Sequence, residues 1–181
     1  MNAFELSILL WIQENLRGFM DSFWVCITTL ADKGWFWILL AVVLVCFKKT
    51  RWAGATVLVA LIVNHVLTNV ILKDLFGRPR PYMVSEDLVT LIKHLSSYSF
   101  PSGHTSCSFA AAFVLCFMMP KKVSIPAIIL AAFIGFSRMY VGVHYPTDVL
   151  GGIGVGFLSA VGAYYLMQVI KRKLEEKRAN G

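Results

Sequence analysis

Three short stretches of this sequence set basic and imidazole side chains at fixed spacings beside helix-breaking residues. Lys73 is followed, after six intervening residues, by Arg80-Pro81; Pro101-Ser102-Gly103-His104 opens a later apolar run; Ser137-Arg138 precedes His144, Pro146 and Asp148. A lysine offers a point charge and an arginine a planar fork of donors. Lys73, Arg80 and Arg138 together therefore suit the oxygens of a phosphoryl group. Ser102 reads as a helix N-cap, so the first-turn N–H groups of Gly103 and His104 point outward with the positive end of the helix dipole, which adds a second phosphate-binding element.

The histidines supply the reaction. His144 precedes Pro146, a favoured first helical residue, and Asp148 falls in the turn that follows. A carboxylate beside an imidazole holds one ring N–H and leaves the other nitrogen free to attack phosphorus. His144 is the expected nucleophile and Asp148 its partner. His104, from another helix, is expected to protonate the leaving oxygen and later to activate water against the phosphohistidine. The sequence offers no carboxylate cluster for Mg²⁺ and no Cys/His set for Zn²⁺. Transfer without metal or cofactor is expected, with charge met by cations and backbone.

The elements that must bring these groups together are set by composition. The 181 residues are 57% hydrophobic and 15% charged, with mean hydropathy +0.68, against about 45–50% and 25% in soluble domains. A disordered chain, a coiled coil and a disulfide-stapled secreted module are excluded, and so short a chain has too little interior to hide this much apolar surface from water. The expected fold is an all-α polytopic transmembrane bundle of five or six spans, read as one domain over residues 1–181. Trp52 to Leu72, Ser106 to Met119, Val123 to Phe136 and Val149 to Ile170 read as spans, and Gly34 to Phe47 as a short one that borrows length from a neighbour or tilts little. Residues 1–31 read as an amphipathic pair of interfacial helices. Glu5 and Glu14 flank the apolar run Leu6 to Ile12 with no basic segment before it, so a cleavable signal peptide is not expected.

The charge distribution gives the orientation. Of 17 Lys and Arg, ten sit in Lys48, Lys49, Arg51, in Lys121, Lys122, and in the tail Lys171, Arg172, Lys173, Lys177, Arg178. Alternate span ends put all three groups on one face, the cytoplasmic one, with residues 171–181 as a basic tail. Lys73, Arg80 and Arg138 fall at the opposite ends, where topology gives them no reason to be. The net charge of +7 is thereby assigned to orientation and phosphate, and no nucleic-acid partner is expected.

Other polar and aromatic groups have plainer readings. His65, Asn64 and Asn69 read as interhelical hydrogen-bonders, His94 as solvated, and Arg78 as a partner of Asp74 or of lipid headgroups. Gly151, Gly152, Gly154 and Gly156 read as close helix packing. Trp35, Trp37, Trp52 and Tyr82 read as an interfacial belt, and the four cysteines as small buried hydrophobes. The Tyr82 to Phe100 connection is long and joins two motifs, which marks it for specificity.

Taken together, Lys73 with Arg80-Pro81, Pro101-Ser102-Gly103-His104, and Ser137-Arg138 with His144 and Asp148 resemble, in order and without substitution, the three signature motifs of the type 2 phosphatidic acid phosphatase (PAP2) superfamily. The resemblance covers roughly residues 34–170. It implies a helical membrane phosphatase that acts on lipid phosphates or diphosphates at the outer face through a phosphohistidine, without metal. It assigns His144, His104 and Asp148 to catalysis and Lys73, Arg80, Ser102, Gly103 and Arg138 to phosphate binding. The expected protein is a multi-pass plasma-membrane enzyme with an extracytoplasmic site and a cytoplasmic C-terminus. Its partners are a lipid phosphate substrate and membrane lipids, with no obligate protein partner. Undecaprenyl diphosphate is the favoured substrate, with phosphatidic acid or phosphatidylglycerol phosphate as the alternative, and an anion or lipid transporter as the reading from another class.

Overall fold

A computed structural model describes residues 3–179, so the last two residues of the expected basic tail lie outside the described residues. Among the described residues the regular structure is all helical: α1 (Ala3–Leu16), α2 (Asp21–Leu30), α3 (Trp35–Cys46), α4 (Arg51–His65), α5 (Lys73–Phe76), α6 (Gly103–Met118), α7 (Lys121–Tyr140) and α8 (Pro146–Ala179). A π-helical stretch, Val66–Leu72, joins α4 to α5 without a break. Such a widened turn is characteristic of functional sites, and here it immediately precedes Lys73. Gly77, in the left-handed region at φ 54°, stops the helix.

Helix α6 is the axis of the bundle, packed on α8, α7 and α4. Its Ala110, Ala111, Ala112, Val114 and Leu115 are fully buried. Small residues let the backbones close up. A Cβ on Gly152 would lie 2.9 Å from the Ser102 carbonyl oxygen and one on Gly156 would lie 2.7 Å from that of Ser106, whereas one on Gly154 would meet nothing within 4 Å. A Cβ on Gly151 would clash with the Phe100 ring, so the glycine run is a packing device at three of its four positions, two of them between helix backbones. It holds the start of α8 against the start of α6, the two helix ends that carry Asp148 and Ser102.

Three helical stretches are long and apolar enough to cross a membrane: Arg51–Met83, Lys121–Tyr140 and Pro146–Ala179. A fourth arises if α2 and α3, bent by 43° at the Asp32–Gly34 turn, form one span, which is the borrowed length expected for the Gly34 to Phe47 segment. By length and composition the described residues thus give three or four candidate spans, with α6 as a shorter apolar helix, and the expected five or six are not reached by that measure. Helix α6, with 16 residues, reaches only about 24 Å, and neighbours enclose most of its length, leaving Cys116 and Phe117 near its end on the surface. The outward faces carry large apolar side chains such as Leu39, Ile62, Leu150, Leu158 and Tyr165, as an integral membrane protein requires.

Several side-chain expectations are corrected. Trp37 is fully buried and donates its indole N–H to Ser108 Oγ at 2.9 Å, so it belongs to the core and not to a belt. Cys26, Cys46 and Cys116 are exposed on the bundle surface, and only Cys107 is partly buried. His65 bonds Asn69 within its own helix, and the polar link from this stretch to α6 is made by Thr68 to Ser106 Oγ at 3.1 Å, with Asn64 behind it. His94 is exposed but stacks on Tyr82, whose hydroxyl is tied to Leu95 and is not free for an interface. Helix α8 continues through the basic tail as far as Ala179.

Gly156→Leu should force α6 and α8 apart at a cost of about 1–3 kcal/mol, visible as a lower Tm and less monodisperse protein after detergent extraction. Gly154→Leu, in the same run, should leave both unchanged.

Candidate functional site

Five segments converge on one cavity of about 840 Å³. The α4–α5 stretch brings Lys73, the turn after α5 brings Arg80, the start of α6 brings Gly103 and His104, the end of α7 brings Arg138, and the α7–α8 connection brings His144. Ser102 and Asp148, fully buried, stand directly behind this lining. All eight residues expected from the motifs are thus assembled in one place. On its other side the cavity is apolar, lined by Ile38, Leu58, Leu61, Ile62 and Val66 from α3, α4 and the π-helical stretch.

Local structure explains the placement. Ser102 caps α6, its Oγ accepting from Thr105 N–H, and its own N–H donates to the Asp148 carbonyl at 3.0 Å. The N–H groups at the head of α6 are left facing the cavity end of the helix. Pro146 begins α8 as expected.

The three cations are held differently. Arg80, 1% exposed, donates from Nε to the Ser97 carbonyl at 2.7 Å, from Nη1 to the Val143 carbonyl at 3.0 Å, and from Nη2 to Ser97 Oγ and the Tyr98 carbonyl. Its Nη1 also lies 3.3 Å from His144 Nε2. Lys73 donates to Ser97 Oγ at 3.1 Å. Arg138, equally buried, donates from Nη1 to Thr28 Oγ1, but its Nε and Nη2 are buried without a hydrogen-bond partner among the described residues. Unpaired buried guanidinium donors are costly, and the described residues supply no acceptor for this fork.

The imidazoles are oriented by carboxylates. A guanidinium can only donate, so the Arg80 contact makes His144 Nε2 the lone-pair nitrogen, and the proton sits on Nδ1, which faces Asp148 Oδ2 at 3.3 Å. Asp148 Oδ2 is further held by Ser99 Oγ and by the Tyr145 N–H. Burial, assisted by Arg80 and Arg138, pushes the His144 imidazole down to about 3 against the pull of Asp148, so the ring is neutral and its Nε2 is available. His104 Nε2 lies 2.8 Å from Asp32 Oδ1. That contact ties Nε2–H and leaves Nδ1 as the position that can take up or give away a proton.

Residues 52–172 match the family model described as the PAP2 superfamily. The chain belongs to the PAP2 superfamily. It is 36% identical to undecaprenyl-diphosphatase BcrC of Bacillus subtilis over 77% of this chain and 70% of that one. It is 32% identical to phosphatidylglycerophosphatase B of the same organism over 93% and 79%. The crystal structure of Aquifex aeolicus LpxE superposes with a TM-score of 0.80 at 28% identity, covering 91% of this chain and 96% of that one. This PAP2 protein is accordingly a phosphatase of the membrane branch, and metal-independent hydrolysis is consistent with that membership.

Some residues of the site lay outside the motif reading of this PAP2 chain. Asp32, Ser97, Ser99 and Thr28 contact motif residues directly. Asp32 had one legible signal, an acidic residue in an Asp-Lys-Gly turn ahead of an apolar run. In the structure this turn carries Lys33 at φ 52° and Gly34 at φ 74°, left-handed conformations unusual for lysine, and it presents Asp32 to the head of α6. Ser97 and Ser99 come from the long connection and had no signal. Arg78 is corrected: it pairs neither with Asp74 nor outward, but with Glu5 and Asp148.

The neutral, buried His144 has a measurable consequence. Below the ordinary imidazole value of about 6.5 the unfolded chain takes up a proton that the folded chain refuses until about pH 3. The stability tied to this group is complete above about 6.5 and is lost progressively as pH falls from there toward about 3. The Tm in detergent should therefore decline between about pH 7 and about pH 5, and less steeply in His144→Asn.

Proposed function

We propose that this protein hydrolyses a phosphate monoester or diphosphate of a lipid at the outer face of the plasma membrane, with undecaprenyl diphosphate as the favoured substrate. The observation that carries the reading is the unpaired fork of Arg138, buried in one cavity with Lys73, Arg80, His104 and His144. A phosphoryl group supplies the acceptor oxygens and the negative charge that this arrangement lacks. The apolar side of the same cavity suits the lipid chain. Arg138 binds in bidentate fashion, Lys73 and Arg80 contribute charge, and the Gly103 and His104 N–H groups complete the cradle behind the Ser102 cap.

In the first step His104 acts as the imidazolium, with Nε2–H on Asp32, Nδ1–H toward the leaving oxygen and the negative charge of the bound phosphate favouring the extra proton; His144 Nε2 attacks phosphorus, the bond to the leaving oxygen breaks, and His104 Nδ1–H protonates that oxygen. The phosphoimidazole is positively charged, and Asp148 at Nδ1–H stabilises it. Water then attacks the phosphohistidine, His104 accepts its proton, the P–N bond breaks, and inorganic phosphate leaves with His144 restored. Asp32 orients His104 in both steps.

The three basic clusters occur at the ends of α3–α4, α6–α7 and α8 remote from the site, which supports a cytoplasmic C-terminus and an extracytoplasmic active site. The undecaprenyl-diphosphatase relative supports the diphosphate, while the broader coverage by phosphatidylglycerophosphatase B favours a glycerophospholipid phosphate as the second reading.

Phosphate release by the purified protein in detergent, with excess chelator, tests the reading on undecaprenyl diphosphate, phosphatidic acid and phosphatidylglycerol phosphate. Turnover should persist with chelator, be fastest on the first lipid, be inhibited by vanadate and vanish in His144→Ala. Chelator sensitivity or an active His144→Ala would overturn the mechanism, and a different fastest lipid would overturn the substrate. His104→Ala should lose about 10²–10⁴-fold in kcat, and Asp32→Asn about tenfold.

A further inference from the structure

Helix α1 buries a stripe made of Glu5, Leu9 and Ile12, with a carboxylate among apolar residues. The Glu5 side chain is only 7% exposed. Its Oε2 accepts from Arg78 Nη2 at 2.7 Å, and its Oε1 accepts from the Thr147 N–H at 3.0 Å and from the Thr147 hydroxyl. Arg78 in turn donates from Nη1 to Asp148 Oδ1 at 2.6 Å and lies 4.0 Å above the Tyr145 ring. Arg78 is absent from the lining of the phosphate cavity. It stands behind Asp148, on the oxygen turned away from His144.

Charge accounting shows why a single arginine there is insufficient. Asp148 must present negative charge to His144, because the imidazole becomes cationic on attacking phosphorus. Arg78 alone would cancel that charge. From the cavity side Lys73, Arg80 and Arg138 all oppose a cationic ring, and Asp32 is occupied with His104. With Glu5 added, the Glu5–Arg78–Asp148 triad carries one net negative charge, and Asp148 is both clamped and still anionic toward Nδ1–H.

We infer that Glu5 and Arg78 are positioning residues for the nucleophile: the N-terminal helix inserts a buried carboxylate that neutralises Arg78, so that Asp148 is held rigidly without losing its charge to the clamp. The inference rests on the phosphohistidine reading above. It makes α1 part of the catalytic apparatus and gives its buried acidic residue a purpose that packing alone does not.

The test is a charge cycle on the full chain, with phosphate release from a lipid phosphate that the wild type turns over, measured on monodisperse protein and normalised to phosphohistidine burst amplitude. Glu5→Gln keeps the shape but lets Arg78 cancel Asp148; kcat should fall about tenfold with KM within about twofold. Glu5→Leu, which fills the apolar stripe, should show the same loss if Glu5→Gln folds poorly. Glu5→Gln combined with Arg78→Gln restores the single net negative charge and should recover much of kcat relative to Glu5→Gln alone. An unchanged kcat in both Glu5 variants overturns the inference, as does a double variant slower than Glu5→Gln, which would mark the triad as a structural clamp only. A wild type that forms no phosphohistidine overturns the underlying reading instead.

Discussion

Three like charges held around one cavity at the end of an apolar bundle are the constraint to which the rest of this structure answers. Lys73, Arg80 and Arg138 repel one another, and a low-dielectric surrounding magnifies both that repulsion and the cost of removing each from water. The chain answers for Arg80 by giving its guanidinium protein acceptors on every side, chiefly carbonyls of the long connection and of the α7–α8 turn. For Arg138 the answer is incomplete, with one bond to Thr28 and two nitrogens without a partner among the described residues. The long connection thus acts as a scaffold for cations, which accounts for its length better than a surface loop would. A phosphoryl group is the natural completion of the charge balance.

The two histidines show how one residue type is given two tasks by its surroundings. His144 is wholly enclosed, its tautomer dictated by a donor-only arginine on one side and a carboxylate on the other. His104 stands at the head of a helix with partial access to solvent, and its carboxylate, Asp32, is itself more than half exposed. A nucleophile profits from desolvation and a fixed lone pair; an acid/base must exchange protons with water. Burial lowers both imidazoles, and it is the remaining access of His104 to solvent, denied to His144, that separates the roles without any difference in side-chain chemistry.

Helix packing serves the same end. Gly152 and Gly156 bring α8 against α6 so closely that the Ser102 N–H reaches the Asp148 carbonyl. That backbone bond joins the phosphate cradle to the element that orients the nucleophile. A membrane bundle gains little hydrophobic drive between its helices, and close approach through small residues is the means available to it.

Much of this was legible in the sequence. The apolar composition determined an all-helical membrane chain, and the motif spacings determined which eight side chains belong together, because each motif sits at a helix end and helix ends of one polarity share one level. Pro146 and the Ser102 cap were readable from local rules alone. The span count was not, since hydropathy cannot tell a lipid-facing helix from an enclosed one, as α6 and Trp37 illustrate. Nor could spacing reveal the partners of the motif residues: Asp32 beside His104, Ser97 beneath Lys73 and Arg80, or Glu5 reaching Arg78 from 73 positions away. Those contacts join segments with no common periodicity, and a charge–charge pairing leaves no trace in either segment by itself. The sequence by itself determined the chemistry of the groups; only the tertiary structure decided which ring nitrogen keeps its lone pair, which arginine keeps a free fork, and which carboxylate balances which cation, because each of these depends on what lies within a few ångströms in space.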